Sequence, residues 1–466
     1  MTELAFISLR EAARSIRDGT LSPTDYVNAL INRIERHDGV LSSFLSVYAE
    51  RAVEKARLAE DALAKDQSIG PMHGVPYGLK DIIDVAGQPT TAHSRLLADN
   101  VAETDAEVAA RLEAAGGVLL GKLATHEFAI GGPCFDLPWP PARNPWDPSR
   151  MPGGSSSGAG AAVAAGFLPA AIGTDTGGSV RNPATACGIV GLKPTYGLVS
   201  RRGVFPLSYS LDHVGPLTRT VADNAALLNA IAGHDPGDPG SAARSPEDYG
   251  RDIGQDIAGF RIGHIGHFYC DDMVAEPEMA AGISAALAQL SALGAEIEDI
   301  AVRPLDELNA INRTILLSEA YAIHRPWITT RADDYGALTL ERLLPGAFIS
   351  GPDYVDAQRA RAAFAAEFNG LFDRFDAIVT ASSMHVPFVI DDAEANAREY
   401  PRQARAPFNL TGGPVVSVPV GFNTQGLPLA MQIAAAPFAE ARLYRIAHAY
   451  EQAAGFWRKR PHLGTE

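Results

Sequence analysis

The run from Gly158 to Gly173, GAGAAVAAGFLPAAIG, carries no charge and few side chains larger than valine. It is short for a bilayer, rich in Gly and Ala, and interrupted by Pro169, so it belongs in a protein core rather than a membrane. Small residues of this kind predict a tightly packed helix followed by a short strand, and the rest of the chain has to wrap them. Hydrophobic residues make up 46% and charged ones 20% of the 466 positions, which supplies that wrapping and excludes a disordered or fibrous chain. Immediately upstream, Ser155, Ser156 and Ser157 stand in a glycine frame, PGGSSSGAG, where hydroxyls meet a pliable backbone.

Helix and strand signals alternate along the chain. SLREAARSIRDG and SPTDYVNALINRIERHDG open on N-cap residues Ser8 and Ser22 and stop at Gly19 and Gly39, with Val27, Leu30, Ile31 and Ile34 on one apolar face. Helices are expected over residues 7 to about 67. GVPYGLKD then reads as a strand, TDAEVAARLEAAGG as a helix and GVLLGKL as a strand. Further on, FRIGHIG, FDAIVTA and GPVVSVPVGF read as strands, Met279 to Leu293 as a helix, and 300 to about 400 as mainly helical. No repeat or linker divides the chain. The alternation predicts an α/β fold built as one large domain, with N-terminal helices over 1–67, a core over 68–233, a variable and partly helical segment over 234–400 that caps a substrate, and a C-terminal return over 401–466.

A formal charge of −16 repels nucleic-acid phosphates, and no basic stripe offsets it, so direct binding of nucleic acid is not expected. Glu3, Arg10 and Glu11 break any apolar run of a signal peptide, which predicts a cytoplasmic protein with no membrane association. Cys134, Cys187 and Cys270 are too widely spaced for a thiolate metal site or a disulfide framework; reduced, buried thiols and no metal are expected.

Gly154 to Gly158 satisfies the G-x-S-x-G pattern that would make Ser156 a nucleophile, yet the preceding NPWDPSRMPGG is too rich in Pro and Gly to be the strand such an elbow requires. A dinucleotide loop at Gly158 and Gly160 fails because Val163 occupies the third glycine position. No Gly-Lys-Ser/Thr phosphate loop follows, and His126-Glu127 lacks the second histidine of a zinc protease.

Lys80 in GVPYGLKD, the GGSSSG turn and the later turn GTDTGGSV together resemble the amidase signature family. The likeness runs through PGGSSSGAGAAVAAGFLPAAIGTDTGGSVRNPATACGIVGLKPTYG, then SLDHVGPLTRTVAD and PFNLTGGPVVSVPVGF. It implies a mixed central sheet covered by helices on both sides. It also implies a Ser-Ser-Lys triad that cleaves amide bonds without metal or cofactor: Lys80 as base, Ser155 as the bridging serine with a cis peptide bond, and Ser179, 24 positions later, as nucleophile. The backbone amides of Thr176, Gly177, Gly178 and Ser179 would form the oxyanion hole, and Ala129, Ile130 and Gly131 would contact the substrate. Two departures stand out, Ser157 where glycine is commonest and Ala186 where phenylalanine is usual.

The chemistry asks for such a set. An amide carbonyl is a poor electrophile, so an activated hydroxyl, oxyanion donors and an acid for the leaving nitrogen are all needed. A lysine serves as base only when uncharged, which demands a dry site; the apolar VPYGL and IIDV segments supply one, whereas Asp81 would oppose it unless its side chain points elsewhere. Arg181 either pairs with a substrate carboxylate or forms a structural ion pair. Tyr321 to Phe348 is expected to cap the pocket and set specificity. The expected activity is that of a free-standing hydrolase of small amides, ureas or carbamates, with a homodimer as the expected assembly. The alternative is the glutaminase component of a tRNA-dependent amidotransferase, and a catalytically silent binding module is a third reading that the complete triad disfavours.

Overall fold

The computed structural model describes residues 2–65, 67 and 70–464. Eleven strands form one mixed sheet: β1 (Phe44–Val47), β2 (Pro76–Lys80), β3 (Val118–Leu123), β4 (Ala170–Asp175), β5 (Val190–Lys193), β6 (His213–Thr218), β7 (Arg261–His264), β8 (Glu296–Asp299), β9 (Ala377–Ala381), β10 (Val415–Phe422) and β11 (Pro428–Ala434). Their spatial order is β1-β3-β2-β4-β6-β5-β10-β11-β9-β7-β8. The sets β3-β2-β4 and β9-β7-β8 pair in parallel, and all other neighbours pair antiparallel. Strands β2, β3, β4, β6, β9 and β11 are buried at every position and so carry no polar–apolar alternation.

Ser8 and Ser22 cap helices Leu9–Arg17 and Pro23–Leu41, each accepting from the N–H three residues on. Between Leu41 and the next helix, Ala49–Leu63, the chain departs from the all-helical expectation: β1 adds a four-residue antiparallel edge to β3. Too short to alternate, it leaves no periodic signal. The 67/68 division expected from sequence falls among residues 66, 68 and 69, which lie outside the described residues. No helix among the described residues is long and apolar enough to cross a membrane.

The small-residue run folds as expected into a wholly buried helix, Ser157–Ala164, followed by β4. Close approach explains its composition: a Cβ at Gly158 would fall 2.2 Å from the Ser43 carbonyl oxygen. The parallel pairing of β2 with β4, Leu79 opposite Ile172, brings the ends of these strands side by side, and antiparallel β6 sets His213 opposite Asp175. These junctions position the polar groups described next.

Candidate active site

Lys80 closes β2 and is fully buried. Its Nζ donates to Ser155 Oγ at 2.7 Å and to Thr174 Oγ1 at 2.9 Å, and it forms no ion pair among the described residues. Burial pushes the ammonium down to about 7 from 10.5, against the opposing pull of Asp212 and Asp175. Asp81, next in sequence, points away as the dry-site argument requires: its carboxylate pairs with Lys122 at 2.8 Å, both side chains 1% exposed, and accepts from Thr91. Removing that carboxylate would strand a buried cation. Asp81→Asn is therefore expected to cost about 3–5 kcal/mol of stability, read as a lower urea midpoint at unchanged slope.

A depressed lysine does not by itself mark the site. Lys193 is equally buried and also lowered to about 7, by burial and by Arg181, yet it is held by the backbone carbonyls of Pro194 and Gly413 and by His213. Only Lys80 of the two faces side-chain hydroxyls.

Ser155 is buried, follows a cis peptide bond from Gly154, and gives its carbonyl to the His126 N–H at 3.0 Å. Ser156 is a framework residue; its hydroxyl bridges the backbone carbonyl and N–H of Thr174, both at 3.2 Å. Ser179 is half-buried, and its carbonyl accepts from the Ser156 N–H at 3.3 Å, which ties the two serine turns together. Hydrogen bonds thus join Lys80 to Ser155, and Ser179 meets the pair through the backbone of Ser156.

Thr176 to Ser179 turn between β4 and the helix Arg181–Cys187. The Thr176 hydroxyl donates to Asp212 at 2.6 Å, and Asp212 in turn accepts the N–H groups of Leu207 and Ser208, so this acid ties the turn to the 207–212 loop. Burial pushes the Asp212 carboxyl up to about 6. The Gly178 N–H is occupied by Asp175 Oδ1 at 2.9 Å. Among the described residues the N–H groups of Thr176, Gly177 and Ser179 have no such partner, so of the four amides named from sequence Gly178 is the one engaged by a side chain.

Arg181 is structural. Its guanidinium forms a bidentate, wholly buried pair with Asp175 (2.9 and 3.0 Å) and reaches Asn409, Gln432 and the Arg405 carbonyl. Burial raises the Asp175 carboxyl, but the Arg181 charge, the hydrogen bonds from Arg181 and Asn409 and the Lys193 charge together outweigh it and hold that carboxyl well below the usual range.

A cavity of about 1090 Å³ opens over Ser179. Thr176, Gly177, Gly178, Ser179, Ala129, Ile130 and Gly131 all line it, as do Leu207, Leu316, Leu317 and Leu338. The segment expected as a cap contributes in part: Ala337 to Pro345 reaches the cavity, together with Asn312 to Leu317 just upstream of that segment, whereas no residue between Tyr321 and Tyr335 lines it. The aromatic residues near the 128–139 loop divide. Phe128 is buried among Phe205, His324, Trp327 and Tyr335, Trp139 packs edge-on to His93, and Phe135 alone lines the cavity, 53% exposed. Sequence reasoning missed Thr174, Asp212, Asn396, Tyr400 and Arg405. Asp212 lies inside the stretch SLDHVGP, the one available signal.

Comparison with known proteins agrees with this architecture. The family model described as Amidase matches residues 25–444. The chain is 38% identical over 488 aligned positions to a component of the glutamyl-tRNA(Gln) amidotransferase of Moorella thermoacetica, covering 99% of this chain and all of that one. Among solved structures it resembles a chain of the vestigial protein complex that reveals the evolutionary origins of an s-triazine catabolic enzyme (TM-score 0.90, 33% identity, 98% and 100% coverage). It also resembles the native peptide amidase of Stenotrophomonas maltophilia (TM-score 0.85, 30% identity, 98% and 99% coverage). On the match of the family model over residues 25–444 and of these relatives over nearly the full chain, the chain belongs to the amidase family.

Proposed function

We propose that the chain hydrolyses amide C–N bonds through an acyl-enzyme, with Ser179 as nucleophile, Ser155 as proton relay and Lys80 as base. The observation that carries this reading is the fully buried, unpaired Lys80 amine 2.7 Å from the Ser155 hydroxyl, beneath a cavity that Ser179 lines. Ser179 Oγ bonds to the carbonyl carbon while its proton passes to Ser155 and the Ser155 proton to neutral Lys80. The oxyanion is held by the free amides of Thr176, Gly177 and Ser179. As the C–N bond breaks, the proton returns along the same path to the departing nitrogen. Water then attacks the ester by the same relay, which restores Ser179 and releases the acid. Asp212 contributes by holding Thr176, and so one of these amides, in place.

For the physiological amide, the curated relatives favour the glutaminase component of a tRNA-dependent amidotransferase over a free-standing amidase. The free-standing reading keeps one observation of its own: the leucine-lined cavity is larger than a glutamine side chain fills, and the peptide amidase shares the fold over nearly its full length. Ammonia and amine release from L-glutamine and from a panel of arylamides, peptide amides, ureas and carbamates separates the two. Turnover of glutamine only with a co-purifying partner establishes the amidotransferase reading; turnover of apolar amides by the chain alone establishes the other. No release from any of them, with or without a partner, overturns the proposal.

A further inference from the structure

We propose that Arg405 is a specificity determinant that selects amides bearing a carboxylate close to the scissile bond. Arg405 is 4% exposed and lines the cavity over Ser179. It packs directly on the turn before that serine: a Cβ at Gly178, whose φ is +125°, would fall 2.6 Å from Arg405 Nε. Among the described residues the guanidinium gives one hydrogen bond, from Nη1 to the Ser382 carbonyl at 2.8 Å, and its buried Nε finds no acceptor. No carboxylate pairs with it among the described residues.

The buried carboxylate that favours the Arg405 charge, Asp175, is already paired with Arg181 at 2.9 Å. The acids of the cavity are otherwise placed, with Asp391 beside Arg143 at 3.1 Å and Asp136 accepting the Ala337 N–H, while Glu341 is exposed. Arg342 lies over the Tyr400 ring and adds charge of the same sign. Burial, then Arg181, push the Arg405 guanidinium down to about 9, so it stays cationic at neutral pH. A buried cation without a counter-ion is costly, and a guanidinium offers a carboxylate two parallel donors. In a protein of net charge −16, such a residue beside the reacting serine fits an anionic substrate group.

This inference rests on the proposed amide hydrolysis for its kinetic test and on direct binding otherwise. The kinetic test compares succinamate and glutaramate with their methyl esters, as ratios of kcat/KM for acid over ester in the wild type, Arg405→Lys and Arg405→Met. A ratio within one preparation does not depend on the fraction folded. The wild type is expected to prefer the acids about 10–100-fold, Arg405→Met to bring the ratio to about one, and Arg405→Lys to fall between. A wild-type ratio near one, or a ratio unchanged in Arg405→Met, overturns the proposal. Titration with succinate, followed by protection of the fold against heating, separates the two readings. If no amide is cleaved but succinate protects the wild type and not Arg405→Met, the hydrolytic reading fails and the anion site stands; if succinate protects neither and no amide is cleaved, both fail.

Discussion

Lys80→Met is expected to abolish amide hydrolysis and, at neutral pH, to raise the melting temperature. The loss follows from removing the amine bonded to Ser155, the proposed base, and should reach about 10²–10⁴-fold in kcat, the range for general acid–base groups. The gain follows from the same burial that makes the amine useful. Deprotonating an amine whose ordinary value is 10.5 and whose buried value is about 7 costs about 4 kcal/mol at pH 7. Methionine fills similar space without that cost, offset in part by the hydrogen bonds lost at Ser155 and Thr174. The pH dependence carries the sign. Between about 7 and 10.5 the unfolded chain binds the proton that folded Lys80 has released, so wild-type stability gains with rising pH, by up to about 1.4 kcal/mol per unit from this group. Lys193 contributes in the same direction and persists in the variant. Lys80→Met should therefore flatten, and not eliminate, the rise seen in urea midpoints measured from pH 7 to 9. Activity in the wild type should rise through about pH 7, as the amine becomes neutral.

Ser179→Ala should remove on the order of 10⁴–10⁶ of kcat/KM with little change in stability, because Ser179 is half-buried and lines the cavity. Ser156→Ala is the informative contrast. Its hydroxyl joins two strand-end groups of Thr174, so the variant should lose about 1 kcal/mol of stability and retain activity within an order of magnitude. Single-turnover kinetics and urea titration of the pair would reverse these assignments if Ser156 proved the silent variant.

The local part of this site was legible in the amino-acid sequence and the long-range part was not. Lys80, Ser155 and Ser179 sit in short glycine-framed motifs, and the small-residue helix behind them announces a close-packed core. Thr174 and Asp212 are ordinary residues in ordinary strands and loops; what brings them to the candidate site is the β2–β4–β6 pairing that sets their side chains against Lys80 and Thr176. Arg405 reaches the site from 226 positions beyond Ser179, just outside the PFNLTGGPVVSVPVGF stretch, and nothing in its local sequence marks it for the site. Arg181 shows the opposite limit: an arginine two residues from a candidate nucleophile is as suited to substrate as to structure, and only the bidentate Asp175 pair decides. The edge strand β1 was hidden for a physical reason, since four residues, three half-buried and Val47 exposed, carry too little pattern to outweigh the helices on either side.

The most direct measurement is covalent. A fluorophosphonate reacts with an activated serine hydroxyl, and mass spectrometry of the digested adduct locates it to one residue. A single adduct is expected on Ser179, formed at a rate that climbs as pH passes about 7 and collapses in Lys80→Met. An adduct on Ser156, or labelling of Ser179 that is indifferent to Lys80, would contradict the relay.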